Sequence, residues 1–229
     1  MDYRIDSETV QIHNISINKG DFQRLFLYGR NFDLSTGTDS DALEAQQSKV
    51  LEKFHTSREL DVLDLVKLMK QIAQWGNVQG RLNWRIEDAY QFEKEKLEDY
   101  FKIVLTVAEE FSFGVPTFDF AQIAETLLRI LLGEESFNGV EIGIDGIGPF
   151  LTTSVLRFYI PNHAAAMNSS VERVSGLPLS PSGWARYRKC CENIAGEMNS
   201  VKLFRDQAGA SWRTADIDLV VWQFVREHS

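Results

Sequence analysis

The chain has 229 residues, of which 44% are hydrophobic and 25% charged, and its formal net charge is −9. This length suits one large domain or two small lobes with a shared core, and the composition is that of an ordinary globular protein. No apolar run reaches the roughly 20 residues of a membrane helix. The two adjacent cysteines, Cys190 and Cys191, exclude a disulfide scaffold and a four-cysteine iron–sulfur cluster. Together with a polar, acidic N-terminus, they predict a cytoplasmic protein without a membrane partner.

The N-terminal part predicts a short β segment followed by helices. Apolar residues alternate imperfectly with polar ones between positions 10 and 17, which indicates one or two short strands or an extended arm. Residues Phe22 to Tyr28 form a short apolar patch. The turn-rich stretch 35–41 carries helix-capping residues, so we expect a helix to start after it, near Ala42. The stretch itself is expected to be either a plain connector or a mobile loop.

The rest of the chain predicts a mainly α-helical fold. The clearest helical pattern runs from Asp61 to Gln74, where apolar residues recur three and four positions apart. One long charged helix is predicted at 86–110, with its acidic residues on a solvated face. Further helices are predicted at 120–132, 182–195 and 216–227.

The turn Gly146-Ile147-Gly148 separates two of these apolar helical stretches. Both glycines tolerate a positive φ, and Pro149 suits the first position of a helix because that position needs no N–H donor. Backbone N–H groups at a helix start carry partial positive charge and can hold an anion. Helix, Gly-x-Gly turn and helix is the layout of a helix-hairpin-helix, which grips a DNA phosphate without reading sequence. The predicted hairpin spans about 139–156.

The residues after this hairpin carry a family resemblance. The chain reads Met-Asn-Ser-Ser-Val-Glu-Arg-Val over 167–174. In the same register, the helix-hairpin-helix superfamily of base-excision DNA glycosylases has Val-Asp-Thr-His-Val-x-Arg-Val. The chain resembles this superfamily from about 121 to 173, and its 216–224 stretch looks like the closing helix of some members. The resemblance implies one two-lobed helical domain over 1–229 that acts as a monomer on double-stranded DNA. In a bacterium such a protein would be associated with the nucleoid.

The resemblance also implies roles for individual residues. The hairpin amides would anchor the DNA backbone, a polar side chain from the loop after the 61–74 helix would fill the hole left by a flipped base, and aromatic side chains would form the base pocket. The alternatives are a glycine helix cap at that loop and a purely structural role for the aromatic residues. No protein-bound metal or cofactor is expected, although hairpin carbonyls of this type can hold a potassium or sodium ion. The candidate backbone contacts are Gly146, Ile147, Gly148, Phe150 and Thr152; the loop candidates are Gln74, Asn77, Gln79 and Arg81; the pocket candidates are Trp75 and Trp222, with Trp84 and Phe158 also considered.

Two departures from the superfamily pattern bear on activity. Phe150 stands where lyase-type members carry a catalytic lysine, which resembles the monofunctional branch that uses water. Asn168 stands where nearly all members carry the catalytic aspartate, and an amide supplies neither charge nor a base. Three explanations remain open: an engineered Asp-to-Asn variant, a natural enzyme whose carboxylate comes from elsewhere, or a catalytically silent homologue that binds DNA or a modified base. Asp145 is the nearest alternative carboxylate in sequence, and its other expected role is to cap the next helix.

Net charge sets a further condition on this interpretation. A net charge of −9 disfavours phosphate contact unless the charges are unevenly distributed. The acidic residues concentrate within 33–59 and 87–110, so we expect a dipolar surface with a basic C-terminal half. A helical protein-interaction domain is the runner-up class. The basic residues of that half are Arg157, Arg173, Arg186, Arg188, Lys189, Lys202, Arg205 and Arg213.

Overall fold

The computed structural model describes residues 3–35, 40–75, 81–203, 205–206 and 208–228. Within these ranges the fold is mainly α-helical with a small N-terminal sheet, which confirms the predicted fold class at that level. The elements are β1 (Tyr3–Ile5), β2 (Thr9–Ile12), β3 (Ile15–Asn18), α1 (Phe22–Ser35), α2 (Ser40–Ser57), α3 (Val62–Trp75), α4 (Arg81–Phe92), α5 (Lys94–Phe113), α6 (Phe120–Leu131), α7 (Pro149–Tyr159), α8 (Ser169–Ser175), α9 (Pro181–Ser200) and α10 (Thr214–His228).

The N-terminal strands form an antiparallel sheet in the order β1-β2-β3. Val10 pairs with Ile17 and Ile12 with Ile15, and all four side chains are buried, so the imperfect alternation did mark one core-facing side. The β2–β3 turn reaches the end of α8, where Asn14 N donates to the Ser175 carbonyl at 3.3 Å. The sheet is thereby tied to the C-terminal half of the chain.

The helix predictions hold in most places and fail in two. Helices α2, α3, α6, α9 and α10 lie where they were expected, within a few residues at their ends. The apolar patch at Phe22 belongs to the longer helix α1, which the sequence pattern did not predict as a helix. The single helix expected over 86–110 is wrong, because α4 and α5 are separate helices that meet at Glu93 with φ −130° and ψ 35°. No glycine or proline signals that break in the sequence.

One continuous hydrophobic core joins the helices and the sheet. Helix α10 packs against α1 and α9, while α9 also packs against α6. Helix α7 contacts α2, α3, α5 and α6, and every residue from 151 to 160 is buried. None of the helices in the described ranges combines the length and apolar character that spanning a bilayer requires. The core therefore surrounds α7 and leaves only its N-terminal end near the surface.

Candidate nucleic-acid interface

The turn before α7 has the conformation that its glycines permit, with one difference. Ile147 N donates to the Ile144 carbonyl at 3.1 Å and closes a tight turn. Gly146 has φ 79°, in the left-handed region that favours glycine. Gly148 has φ −88° and ψ −177°, which is extended backbone that any residue adopts. The positive φ considered for both glycines is therefore adopted by Gly146 alone.

The first turn of α7 lacks a side-chain cap. Gly148 is the N-cap residue and has no side chain to offer, while Pro149 takes the first helical position as predicted. Thr152 N donates to the Gly148 carbonyl at 3.2 Å, which starts the helical ladder. In the described part of the chain, no acceptor binds the N–H of Gly148 or of Phe150, and both residues are partly exposed. These two donors stand at the positive end of the helix dipole.

Two of the predicted backbone contacts are unsuited to that role in this arrangement. The Ile147 amide is already used in the turn, and its side chain is buried. Thr152 is completely buried within the core around α7, so its hydroxyl does not reach the surface. Gly146 is exposed and lies on the open side of the turn. The stretch available to an external anion is therefore centred on Gly146, Gly148 and Phe150.

Asp145 does not cap α7, so that expected role is wrong. The N-cap of α7 is Gly148, and no side chain bonds to the first-turn amides. Asp145 is exposed and makes no hydrogen bond or ion pair with any residue that the structure describes. Its carboxylate therefore points into solvent beside the turn.

Asn168 is the N-cap of α8. Its Oδ1 accepts from the N–H groups of Ser170 and Val171, both at 2.9 Å. Its backbone is extended, at φ −122° and ψ 174°, as an N-cap residue requires. The amide oxygen is thus occupied by the helix itself, and the half-buried side chain has a structural role as it stands.

Hydrogen bonds hold the start of α8 against α7. Met167 N donates to Thr153 Oγ1 at 3.1 Å, and Ala166 N donates to Asp218 Oδ2 at 3.0 Å. Asp218 also accepts from Arg157 Nε at 3.1 Å, so this one buried carboxylate of α10 joins α7 to the segment just before α8. No hydrogen bond within the described residues joins Asp145 to Asn168. The structure therefore ties Asn168 to the body of α7 and leaves Asp145 free at its tip.

Tyr187 completes the network around this carboxylate. Its hydroxyl donates to Asp218 Oδ1 at 2.9 Å. Burial raises the pKa of Tyr187, and the negative charge of Asp218 raises it further, so the hydroxyl keeps its proton and remains a donor. All three groups that bind Asp218 are therefore donors at neutral pH.

The predicted pocket aromatics pack inside the protein. Trp75 is buried, stacks on Trp222 with ring centroids 5.5 Å apart, and meets Phe158 edge to face at 5.1 Å. The Arg157 guanidinium lies 4.7 Å from the Trp75 ring centroid. Trp75 therefore fits the core alternative, while Trp222 is only partly buried.

The predicted loop after α3 is described only at its edges. Gln74 is exposed near the C-terminal end of α3. Asn77 and Gln79 lie outside the described residues, and so does the expected glycine cap. Arg81 is the first residue of α4, and its side chain lies outside the described part. The predicted role of this loop therefore stays a prediction.

Helix α4 brings one side chain, that of Arg85, against the turn before α7. Trp84 exposes 74% of its surface, so it belongs to neither the core nor an internal pocket. The exposed Arg85 packs over the turn, since a Cβ added to Gly146 would lie 2.9 Å from Arg85 Cδ. No local pattern in the sequence could have identified Arg85, because its partner Gly146 lies more than sixty positions away. A cationic side chain thus lies against the turn, one position after an exposed aromatic residue on α4.

The basic C-terminal half is less basic at the surface than its sequence indicates. Arg157 and Arg188 are almost completely buried and paired with Asp218 and Glu192. Arg173, Arg186, Lys189 and Lys202 are exposed. Buried, paired arginines add little to the field that a polyanion meets, so the expected dipolar surface rests on fewer residues than predicted.

Comparison with known proteins identifies no relative of this chain, and the residues that the structure describes offer no metal site. Within the described residues, no group of three or more His, Cys, Asp or Glu side chains is placed to hold a metal ion. The chain matches no protein-family model, no curated protein and no solved structure.

Proposed function

We propose that this protein binds the sugar–phosphate backbone of duplex DNA at the turn before α7. The observation that carries the proposal is the uncapped helix start, where Gly148 and Phe150 offer free N–H groups. Such a helix start favours an anion through both directed donors and the helix dipole. Because the donors are backbone groups, the contact would be insensitive to base sequence.

The surroundings of the turn fit a polyanion with one exception. Arg85 adds a positive side chain that packs over Gly146, and Trp84 adds an exposed aromatic surface on which a base could stack. Asp145 places an unpaired carboxylate at the same turn, which opposes a phosphate. Neutralising that charge with Asp145→Asn should therefore strengthen DNA binding, whereas Arg85→Gln should weaken it.

The direct test is Gly148→Val. A Cβ at Gly148 meets no atom within 4 Å and its backbone is extended, so the variant should fold normally. The added side chain would fill the space in front of the free amides. Loss of about one charge-assisted hydrogen bond predicts a roughly tenfold weaker affinity for duplex DNA at low salt.

Gly196→Val is the matched control, because a Cβ at Gly196 also meets no atom within 4 Å but lies on α9. Fluorescence anisotropy with a labelled duplex, repeated at several salt concentrations, measures both variants. Equal affinities in the wild type and in Gly148→Val would remove the hairpin from the proposal. No binding by the wild type at low salt would favour a helical protein-interaction domain instead.

We further propose that, once bound to DNA, the protein excises a damaged or modified base without cleaving the strand. The observation that favours it is the position of Asn168, half-buried at a helix start that Met167 and Thr153 fix against α7. Excision by water breaks the bond between the base and C1′, and a nearby carboxylate stabilises the positive charge that develops on the sugar. Phe150 cannot form an imine with the sugar, so no lyase step is expected.

Two substitutions separate the open explanations for Asn168. Asn168→Asp keeps an oxygen that accepts from Ser170 and Val171 and adds the missing charge. Each variant is assayed for base release on duplexes that carry a panel of modified bases. If Asn168→Asp starts excision, the chain is a disabled glycosylase. If it changes nothing and Asp145→Ala abolishes activity, the exposed Asp145 supplies the carboxylate.

A third outcome identifies a silent homologue. If neither the wild type nor any variant releases a base, while duplex binding persists and Gly148→Val weakens it, the excision proposal fails. Binding of DNA or of a modified base without chemistry then remains as the function.

A further inference from the structure

A polar cavity lies away from the hairpin, where α1, α2, α7 and α10 meet the segment before α10. Its volume is about 470 Å³, and Phe26 and Leu219 form its apolar wall. The other lining side chains are four arginines, three carboxylates and two serines: Arg30, Arg157, Arg205, Arg213, Asp41, Glu44, Asp216, Ser40 and Ser211. None of the candidate hairpin residues lines it.

Arg157 is the deepest of these arginines and its hydrogen bonding is incomplete. The side chain is 2% exposed, and the Trp75 and Phe158 rings lie 4.7 and 4.9 Å from its guanidinium carbon. Nε donates to Asp218 at 3.1 Å and Nη2 donates to the Ala215 carbonyl at 3.1 Å. Nη1 is buried and has no acceptor among the described residues. Burying a guanidinium nitrogen without a hydrogen-bond partner costs free energy. An oxygen from outside the chain that accepted from Arg157 Nη1 would remove that cost.

Arg205 presents a second unsatisfied donor to the same cavity. Its Nη1 donates to Asp216 at 2.9 Å, and its guanidinium carbon lies 5.4 Å from the Phe26 ring centroid. Its Nε is shielded from solvent and has no acceptor in the part of the chain that the structure describes. The side chain is 20% exposed and is held at Nη1 by Asp216.

The carboxylates of the cavity are already occupied. Arg213 donates to Glu44 at 2.7 Å and to Asp216 at 2.8 Å, and Arg30 pairs with Asp41. Burial by itself would raise the pKa of Asp216, but the hydrogen bonds and charges of Arg213 and Arg205 lower it, so this carboxylate stays ionised. Each of the four arginines thus has a carboxylate partner, since Arg157 pairs with Asp218 outside the cavity lining, and two buried arginine nitrogens are left without an acceptor among the described residues.

We propose that this cavity binds a small oxyanion, a phosphate or a carboxylate, whose oxygens accept from Arg157 Nη1 and Arg205 Nε. Guanidinium groups suit both ions because their planar N–H edges match two adjacent oxygens. Both nitrogens are shielded as the structure stands, so the proposal requires the two guanidinium groups to turn toward the anion as it binds. The site is separate from the hairpin, and its occupation does not depend on DNA binding.

The test uses the full chain and isothermal titration calorimetry with inorganic phosphate and, separately, acetate, against chloride at matched ionic strength. Saturable binding of one of them is expected, and the one that binds identifies the phosphate or carboxylate chemistry. Arg205→Lys keeps a charge for Asp216 but removes the Nε donor, so affinity should fall about tenfold, as for one charge-assisted hydrogen bond. Arg24→Lys is the control, since Arg24 pairs with Asp21 and Glu227 at the surface.

A second variant covers the case in which Arg205→Lys does not fold. Ser211 is exposed and lines the cavity, so Ser211→Asp places a negative charge at its entrance without a core change and should also weaken anion binding. No saturable binding of either anion to the wild type would overturn the proposal, and so would equal losses in Arg205→Lys and Arg24→Lys. Gly148→Val should leave anion binding unchanged, which keeps this outcome distinct from a failure of the hairpin proposal.

Discussion

Helices α7 and α8 begin close together in the fold but satisfy their first N–H groups in opposite ways. At α8, Asn168 accepts from two backbone amides and closes the helix start with its own side chain. At α7, Gly148 has no side chain, and its own N–H and that of Phe150 stay without an acceptor among the described residues. An N-terminus that caps itself gains stability, whereas one that does not can receive an anion.

The comparison separates the two roles that the sequence pattern combined. At the turn before α7, the N–H groups of Gly148 and Phe150 have no acceptor among the described residues, and the proposal assigns them to an external anion. Asn168 uses its oxygen internally, so chemistry at that position requires a second oxygen or a charge, both of which an aspartate would provide. The proposed DNA binding and the proposed excision are therefore separable by substitution.

The largest expected effect comes from Asp218, the carboxylate that joins α7 to the segment before α8. Asp218→Asn leaves the buried Arg157 without its anionic partner, which predicts a loss of about 3 to 5 kcal/mol in the free energy of unfolding. Urea denaturation measures the change. Asp21→Asn is the control, because that side chain is 47% exposed in its pair with Arg24 and should cost less than about 1 kcal/mol. Equal losses would mean that Asp218 does not anchor α7 to the segment before α8.

A smaller effect distinguishes the two glycines of the turn. Gly146→Ala places a side chain at φ 79° and requires Arg85 to move, so we expect a loss of about 1 to 2 kcal/mol. Gly148→Ala should change the free energy of unfolding by less than about 0.5 kcal/mol, because its backbone is extended and the space is open. Thermal unfolding of the two variants side by side checks the difference, and a larger loss at Gly148 would contradict the turn geometry.

The smallest effect tests whether Asn168 closes α8. Asn168→Ala removes the acceptor for Ser170 and Val171, which predicts a loss of about 1 kcal/mol in the free energy of unfolding. Asn168→Asp should retain the stability of the wild type, because one carboxylate oxygen can accept the same two bonds. If the alanine variant is as stable as the wild type, the capping bonds contribute nothing measurable and the contrast with α7 is weaker than described.

The sequence by itself determined the features that depend on neighbouring residues. The three-and-four spacing of apolar residues located α3, and the Gly-x-Gly-Pro run marked the start of α7. The mainly helical fold class and the place of the hairpin followed from such patterns. These signals succeed because helical periodicity and capping act within a few positions of the chain.

Only the tertiary structure decided what surrounds those elements. It buried Thr152 and Trp75, exposed Trp84, paired Arg157 with Asp218 and separated α4 from α5 at Glu93. It also showed that Asp145 leaves the helix start open while Asn168 closes the next one. Each outcome depends on side chains that are distant in sequence, because burial and pairing are set by how the helices pack against one another, and no local pattern records that packing.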